Sequence, residues 1–157
     1  MKFSRIWTRL GLAAALLLAV PFGAQAQVLR STEAPNYNYI GIGGGDNGFV
    51  VNSKISVSDN ISIRPEVATD FNFDDGEDLS YLVPVTYDFQ GGAGFNPFVG
   101  AGISGNIGDG DTNVEFATVA GADYRFANNY VANGSINYAP FADNDEVGFT
   151  LGVGYLF

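Results

Sequence analysis

Eight charged side chains sit at alternating positions within otherwise apolar segments, and their types limit the chemistry open to this chain. Lys54, Arg64, Glu66, Asp70, Asp88, Glu115, Asp123 and Arg125 share the polar face of strand-like stretches. Opposite charges placed this way can pair and fill an interior, or they can form a charged constriction that gates or selects small ions. Register counting across two hairpins brings Lys54 near Glu66 and Arg64 near Asp88. Asp123 and Arg125 lie at a similar depth on another segment and could reach across. Nucleophilic catalysis lacks its usual parts, because the chain contains no His and no Cys. The expectation is therefore no enzyme, no cofactor, no thiolate metal site and no disulfide.

Two further patterns invite a functional reading. Gly100-Ala101-Gly102-Ile103-Ser104-Gly105 satisfies GxGxxG, but Asn106-Ile107-Gly108-Asp109 follows where a dinucleotide site needs a helix. Alternate glycines lining the inside of a strand account for it better. Asp109-Gly110-Asp111-Thr112-Asn113 opens like a calcium loop, yet Val114 stands where the loop needs its glycine and Ala120 where it needs its closing Glu. A looser set of acids remains: Asp46, Asp74, Asp75, Glu77, Asp78, Asp109, Asp111, Asp143, Asp145 and Glu146, all in or beside turn-like clusters of Gly, Asn and Asp. Hard divalent cations need only several carboxylate oxygens and water, so this set is a candidate weak cation site, against the plainer reading of solvated turn formers.

The elements that would position these groups begin after a secretory signal. Lys2, Arg5 and Arg9 precede an apolar run from Leu10 to Val20, then Pro21 and the small-residue site Ala24-Gln25-Ala26. Cleavage after Ala26 leaves Arg30, Lys54, Arg64 and Arg125 as the only basic residues against all seventeen acids. So acidic a chain excludes nucleic acid as a partner, since phosphate binding needs clustered cations.

From Tyr37 onward the chain divides into eight alternating segments, near 37–44, 48–58, 61–73, 79–90, 95–106, 113–126, 129–141 and 147–157. Ile61, Ile63, Val67, Phe71 and Phe73 interleave with Ser62, Arg64, Glu66, Asp70 and Asn72; Leu79, Tyr81, Val83, Val85, Tyr87 and Phe89 follow suit. Eight strands with one apolar and one polar face can close on themselves and leave no unpaired edge in lipid. Three features resist the scheme, one of them the frequent glycine, which weakens strand propensity. The facing of the first segment is ambiguous, with Tyr37 and Tyr39 on one side and Ile40 and Ile42 on the other. Pro65 and Pro84 fall inside segments, where bulges are expected.

The last segment is the most specific. Val147, Phe149, Leu151, Val153, Tyr155 and Phe157 alternate with Gly148, Thr150, Gly152, Gly154 and Leu156, giving one bulky apolar face and one lean face. The order Thr150, Gly152, Tyr155, Phe157 resembles the C-terminal signal of bacterial outer-membrane proteins. With its leader, the whole mature region resembles the small eight-stranded outer-membrane barrels, the OmpA-transmembrane, OmpX and opacity-protein group. That resemblance implies an all-β, eight-stranded antiparallel up-and-down transmembrane β-barrel over 37–157, preceded by a cleaved signal peptide (1–26) and a periplasmic segment (27–36). It also implies outer-membrane lipid and the barrel-assembly machinery as partners, and places the acidic connections on the external rim. The external loops are shorter than those of the adhesive members. A soluble secreted sandwich is the fold-level alternative, and the oligomeric state stays open. The function expected is a structural barrel with a charge-paired, filled lumen; the alternatives are a small low-conductance channel or a surface-binding protein acting through its rim.

Overall fold

The computed structural model describes residues 35–69, 79–108, 111–140 and 146–157. The expected signal peptide, Asp70, and the rim acids Asp74, Asp75, Glu77, Asp78, Asp109, Asp143 and Asp145 lie outside the described residues, and Asp111 and Glu146 are described as backbone only. The strands are β1 (Tyr39–Gly45), β2 (Gly48–Ser56), β3 in two pieces (Ile61–Ile63 and Glu66–Thr69) and β4 (Leu79–Asp88). They continue as β5 (Phe95–Gly108), β6 in two pieces (Asp111–Thr112 and Glu115–Ala127), β7 (Tyr130–Ala139) and β8 (Glu146–Leu156). Each strand pairs antiparallel with the next, and β1 pairs with β8 from Tyr39↔Leu156 to Gly45↔Thr150. The sheet is thus a closed eight-stranded antiparallel barrel. Closure gives every strand two neighbours, so the ladder has no open edge.

Side chains are distributed inside out relative to a water-soluble core. Ile40, Ile42, Val85, Val99, Ile103, Leu151 and Val153 point outward and are exposed, while Lys54, Arg64, Asp88 and Asp123 are buried. The buried apolar cluster among the described residues is only Leu82, Ala117 and Ala139. A soluble sandwich would bury the first set and solvate the second. The alternative fold is thereby excluded.

The ambiguity of the first strand resolves in favour of the tyrosines: Tyr39 is 3% exposed and Ile40 57%. A lumen lined by charge accepts a tyrosine by its hydroxyl, and Tyr39 Oη accepts from Arg64 Nη1 at 3.3 Å, while Ile40 and Ile42 join the apolar exterior. The bulges expected at Pro65 and Pro84 are absent. Register runs through both without a shift, from Ile55↔Ile63 to Asn52↔Glu66 and from Leu79↔Ile107 to Asp88↔Phe98. Each proline loses one donor but keeps its carbonyl in the ladder, Pro65 accepting from Ser53 N and Pro84 from Arg64 N, both at 3.0 Å. That half-pair holds the spacing. Among the described residues the one register irregularity is between Arg125 and Ala127, beside the β6–β7 turn.

Aromatic side chains gather at the two ends of the outer surface. Tyr87 meets Phe89 at 5.0 Å between ring centroids, Phe126 meets Tyr130 at 6.2 Å, and Tyr130 meets Tyr155 at 5.6 Å. Phe116, Tyr138 and Phe149 are exposed at the opposite end. Phe116 and Phe126 are ten residues apart on β6, about 33 Å along the strand and roughly 25 Å across a barrel tilted by about 40°. That matches the apolar band of an outer-membrane barrel, about 25 Å tall.

Candidate functional site

Inward positions of β2, β3, β4 and β6 bring Lys54, Arg64, Asp88 and Asp123 together in the half of the lumen nearest Tyr39 and Leu156. Lys54 and Asp123 are 0% exposed, Asp88 1% and Arg64 6%. Such burial is tolerable only if each charge is neutralised and each polar atom bonded. Arg64 meets that demand with all five of its donors. Nε donates to Thr86 Oγ1 at 3.1 Å, and Nη1 donates to Tyr39 Oη at 3.3 Å and Asp123 Oδ1 at 3.1 Å. Nη2 donates to Asp88 Oδ1 and Asp123 Oδ2, each at 2.9 Å. The Arg64–Asp123 contact is therefore bidentate and runs across the lumen from β3 to β6. Phe98 closes the remaining face of the guanidinium, 3.6 Å from its ring centroid.

Asp88 is the second hub. Its Oδ1 accepts from Arg64 and from the Thr86 hydroxyl at 3.2 Å; its Oδ2 accepts from Lys54 Nζ at 3.1 Å and from the Ser62 hydroxyl. The pairing of Lys54 with Glu66 counted from the sequence is not formed. In the register of β2 and β3 Glu66 stands opposite Asn52, one inward position farther from the cluster. Glu66 instead accepts from Thr150 Oγ1 on β8 at 2.7 Å, and the long Lys54 stem bends the other way to Asp88. Arg125 lies with its guanidinium over the Tyr37 ring, 5.1 Å from the centroid.

Beyond Glu66 the lumen widens. A cavity of about 70 Å³ is lined by Asp46, Glu66, Glu115, Ser80, Ser104 and Asn137 among others. A smaller one of about 20 Å³ touches Asn52, Asn133, Glu66 and Arg64, room for about one water molecule. Asn52 Nδ2 donates to Asn133 Oδ1 at 2.8 Å across that space. The glycines of the GxGxxG pattern serve packing: Gly100 and Gly102 point inward, where a Cβ would collide with β4 backbone at Val85 and Val83. No group of three or more acidic, His or Cys residues able to hold a metal occurs among the described residues. Of the terminal four, Thr150 is buried in the lumen on Glu66, while Tyr155 and Phe157 face outward and are exposed.

The sequence did not single out Tyr37, Tyr39, Phe98, Ser62 or Thr86, which complete the cluster. A signal for three of them existed. Tyr37, Tyr39 and Phe98 are aromatics on the lean face of their segments, out of step with Ile40, Ile42 and Val99.

No protein-family model matches the chain, and no curated protein matches it. Solved structures do. Ail, the attachment invasion locus protein of Yersinia pestis, aligns with a TM-score of 0.58 at 19% identity, covering 78% of this chain and 99% of that one. The N-terminal β-barrel domain of Pseudomonas aeruginosa OprF aligns with a TM-score of 0.58 at 21% identity, covering 78% and 98%. A de novo designed transmembrane β-barrel aligns with a TM-score of 0.57 at 18% identity, covering 78% and 97%. A designed barrel among the matches shows that architecture alone can produce such a likeness. The closed sheet, the apolar exterior and these alignments together give the chain the fold of the small eight-stranded outer-membrane β-barrels.

Proposed function

We propose that the protein is a structural barrel of a bacterial outer membrane whose lumen is sealed by paired charges. The observation that carries this reading is Arg64, whose five donors are all bonded while its guanidinium bridges opposite walls. A side chain so held fixes its cluster across the lumen, which supports a barrel that hydrated ions do not cross. Refolded protein in planar bilayers is expected to give no stepwise current. Discrete conductance steps from the wild-type barrel would instead support a small low-conductance channel. That second reading draws on the cavity of about 70 Å³ at the other end, whose Asp46, Glu66 and Glu115 lining would favour cations.

Export by the signal peptide and delivery to the outer membrane follow from this reading. The terminal residues Thr150, Gly152, Tyr155 and Phe157 then serve as the contact for the barrel-assembly machinery. Deleting Phe157, 75% exposed at the chain end, should lower the amount of heat-modifiable barrel in outer-membrane fractions more than Val153→Ala does. Equal yields from the two variants would remove the assembly role and leave Phe157 as lipid-facing area only.

The acidic connections fit a divalent-cation rim that relieves repulsion and bridges to anionic headgroups. Millimolar calcium or magnesium should raise the thermal midpoint of the folded barrel at low ionic strength. Replacing Asp74, Asp75, Glu77 and Asp78 with Asn or Gln should shrink that shift. An unchanged wild-type midpoint would return these residues to solvated turns, and with them the reading of a surface-binding rim.

A further inference from the structure

We infer that residues 35–38, which precede β1, are a stopper seated in the mouth of the barrel, and that the lumen is closed twice in series, by this segment and by the Arg64 cluster behind it. The inference rests on the reading of the barrel as sealed and concerns what seals it.

A chain entering its first strand ordinarily lies in solvent at the rim. Here it does the opposite. Pro35 is fully buried, and its carbonyl accepts from Lys54 Nζ at 2.5 Å. A tight turn, with Tyr37 N donating to the same Pro35 carbonyl at 3.2 Å, lays the Tyr37 ring across the mouth. Lys54 Nζ sits 3.6 Å from the centroid of that ring and the Arg125 guanidinium 5.1 Å, so two cations from β2 and β6 hold it. Its hydroxyl donates to Asp123 Oδ2 at 2.7 Å and accepts from Asn96 Nδ2 on β5 at 3.4 Å. The backbone is fixed as well: Ser56 Oγ donates to Tyr37 O at 2.9 Å, Ser56 N to Asn38 Oδ1 at 2.8 Å, and Phe157 N to Asn38 O at 3.1 Å. Pro35, Tyr37 and Asn38 thus bond to β2, β5, β6 and the end of β8, spanning the lumen from wall to wall. A segment that merely trailed from the barrel would need none of these partners.

The two barriers share Asp123 and Lys54 but do not depend on one another for position. Arg64 keeps Asp88, Thr86 and Tyr39 without Tyr37, and Pro35 keeps Lys54 without Arg64. Removing one therefore leaves the other in place, and only their joint loss joins the mouth to the acidic cavity beyond. Cations would then carry the current, because Asp46, Glu66 and Glu115 line that cavity.

The chain has no cysteine, so single thiols can report the seat directly. In the full-length mature protein, folded in detergent, Pro35→Cys should react with a charged maleimide on the order of tenfold more slowly than its exposed neighbour Asn36→Cys. Adding Tyr37→Ala should remove most of that difference. Equal rates in the parent fold overturn the stopper. In planar bilayers, deletion of residues 27–37 and Arg64→Ala should each be silent, while the two combined conduct with cation preference, heat modifiability certifying that each variant is folded. A current from Arg64→Ala alone as large as that of the combination overturns closure in series, whereas a conducting wild type would overturn the sealed-barrel reading itself. Should the combined variant fail to fold, the thiol rates decide.

Discussion

Replacing Arg64 with Ala is expected to destabilise the barrel by about 3–5 kcal/mol, the cost of leaving buried carboxylates without their partner. The two carboxylates do not lose equally. Asp88 retains the Lys54 ammonium and the Ser62 hydroxyl, whereas Asp123 loses a bidentate contact and keeps the neutral Tyr37 hydroxyl. A double-mutant cycle should accordingly find stronger coupling of Arg64 to Asp123 than to Asp88. Urea titration of protein refolded into lipid vesicles reads both values. Strict additivity of Arg64→Ala with Asp123→Ala would mean that the bridge across the lumen contributes nothing to folding.

The second large effect belongs to the outer face. Leu151 stands at the middle of β8, exposed between Gly44 of β1 and Gly134 of β7. Leu151→Arg places a cation at the centre of the apolar band and should cost about 2–4 kcal/mol. Asn137→Lys is the internal comparison, since Asn137 lines the acidic cavity on the inner face. There a cation meets Asp46, Glu66 and Glu115, so its cost should fall below about 1 kcal/mol. The same vesicle titration distinguishes them. A larger penalty at Asn137 than at Leu151 would mean that the exterior of this sheet is not the face that meets lipid.

Much of this architecture was legible because a strand's period of two sorts side chains with little ambiguity when one face is wholly apolar. Val83, Val85 and Tyr87 against Leu82, Thr86 and Asp88 leave a single assignment of faces, and the same holds for Val147 to Phe157. Where the residue suits both faces, alternation loses its force. Tyr37 and Tyr39 could belong to an interfacial girdle as well as to a charged lumen, and only the position of Asp123 on β6 and of Arg64 on β3 decides between them. Pro65 misled for a related reason, since its missing donor is visible in the sequence while its carbonyl contact with Ser53 is not. Register counting put Lys54 near Glu66, but Glu66 stands opposite Asn52, two residues away, and the four-carbon lysine stem reaches Asp88 instead. Neighbours along a hairpin can be counted, but partners across a lumen depend on closure.

The separation in sequence between Tyr37 and Asp123, 86 residues, imposes an order on the folding of the chain. Arg64 and Asp88 lie on adjacent strands and can neutralise one another as soon as the β3–β4 hairpin forms. Lys54 joins them from the next strand. Asp123 arrives only with β6, and until it does the phenol of Tyr37 has no acceptor to seat it. The segment before β1 is therefore among the last to find its place, and its docking on Asp123 marks the moment when the cylinder is whole.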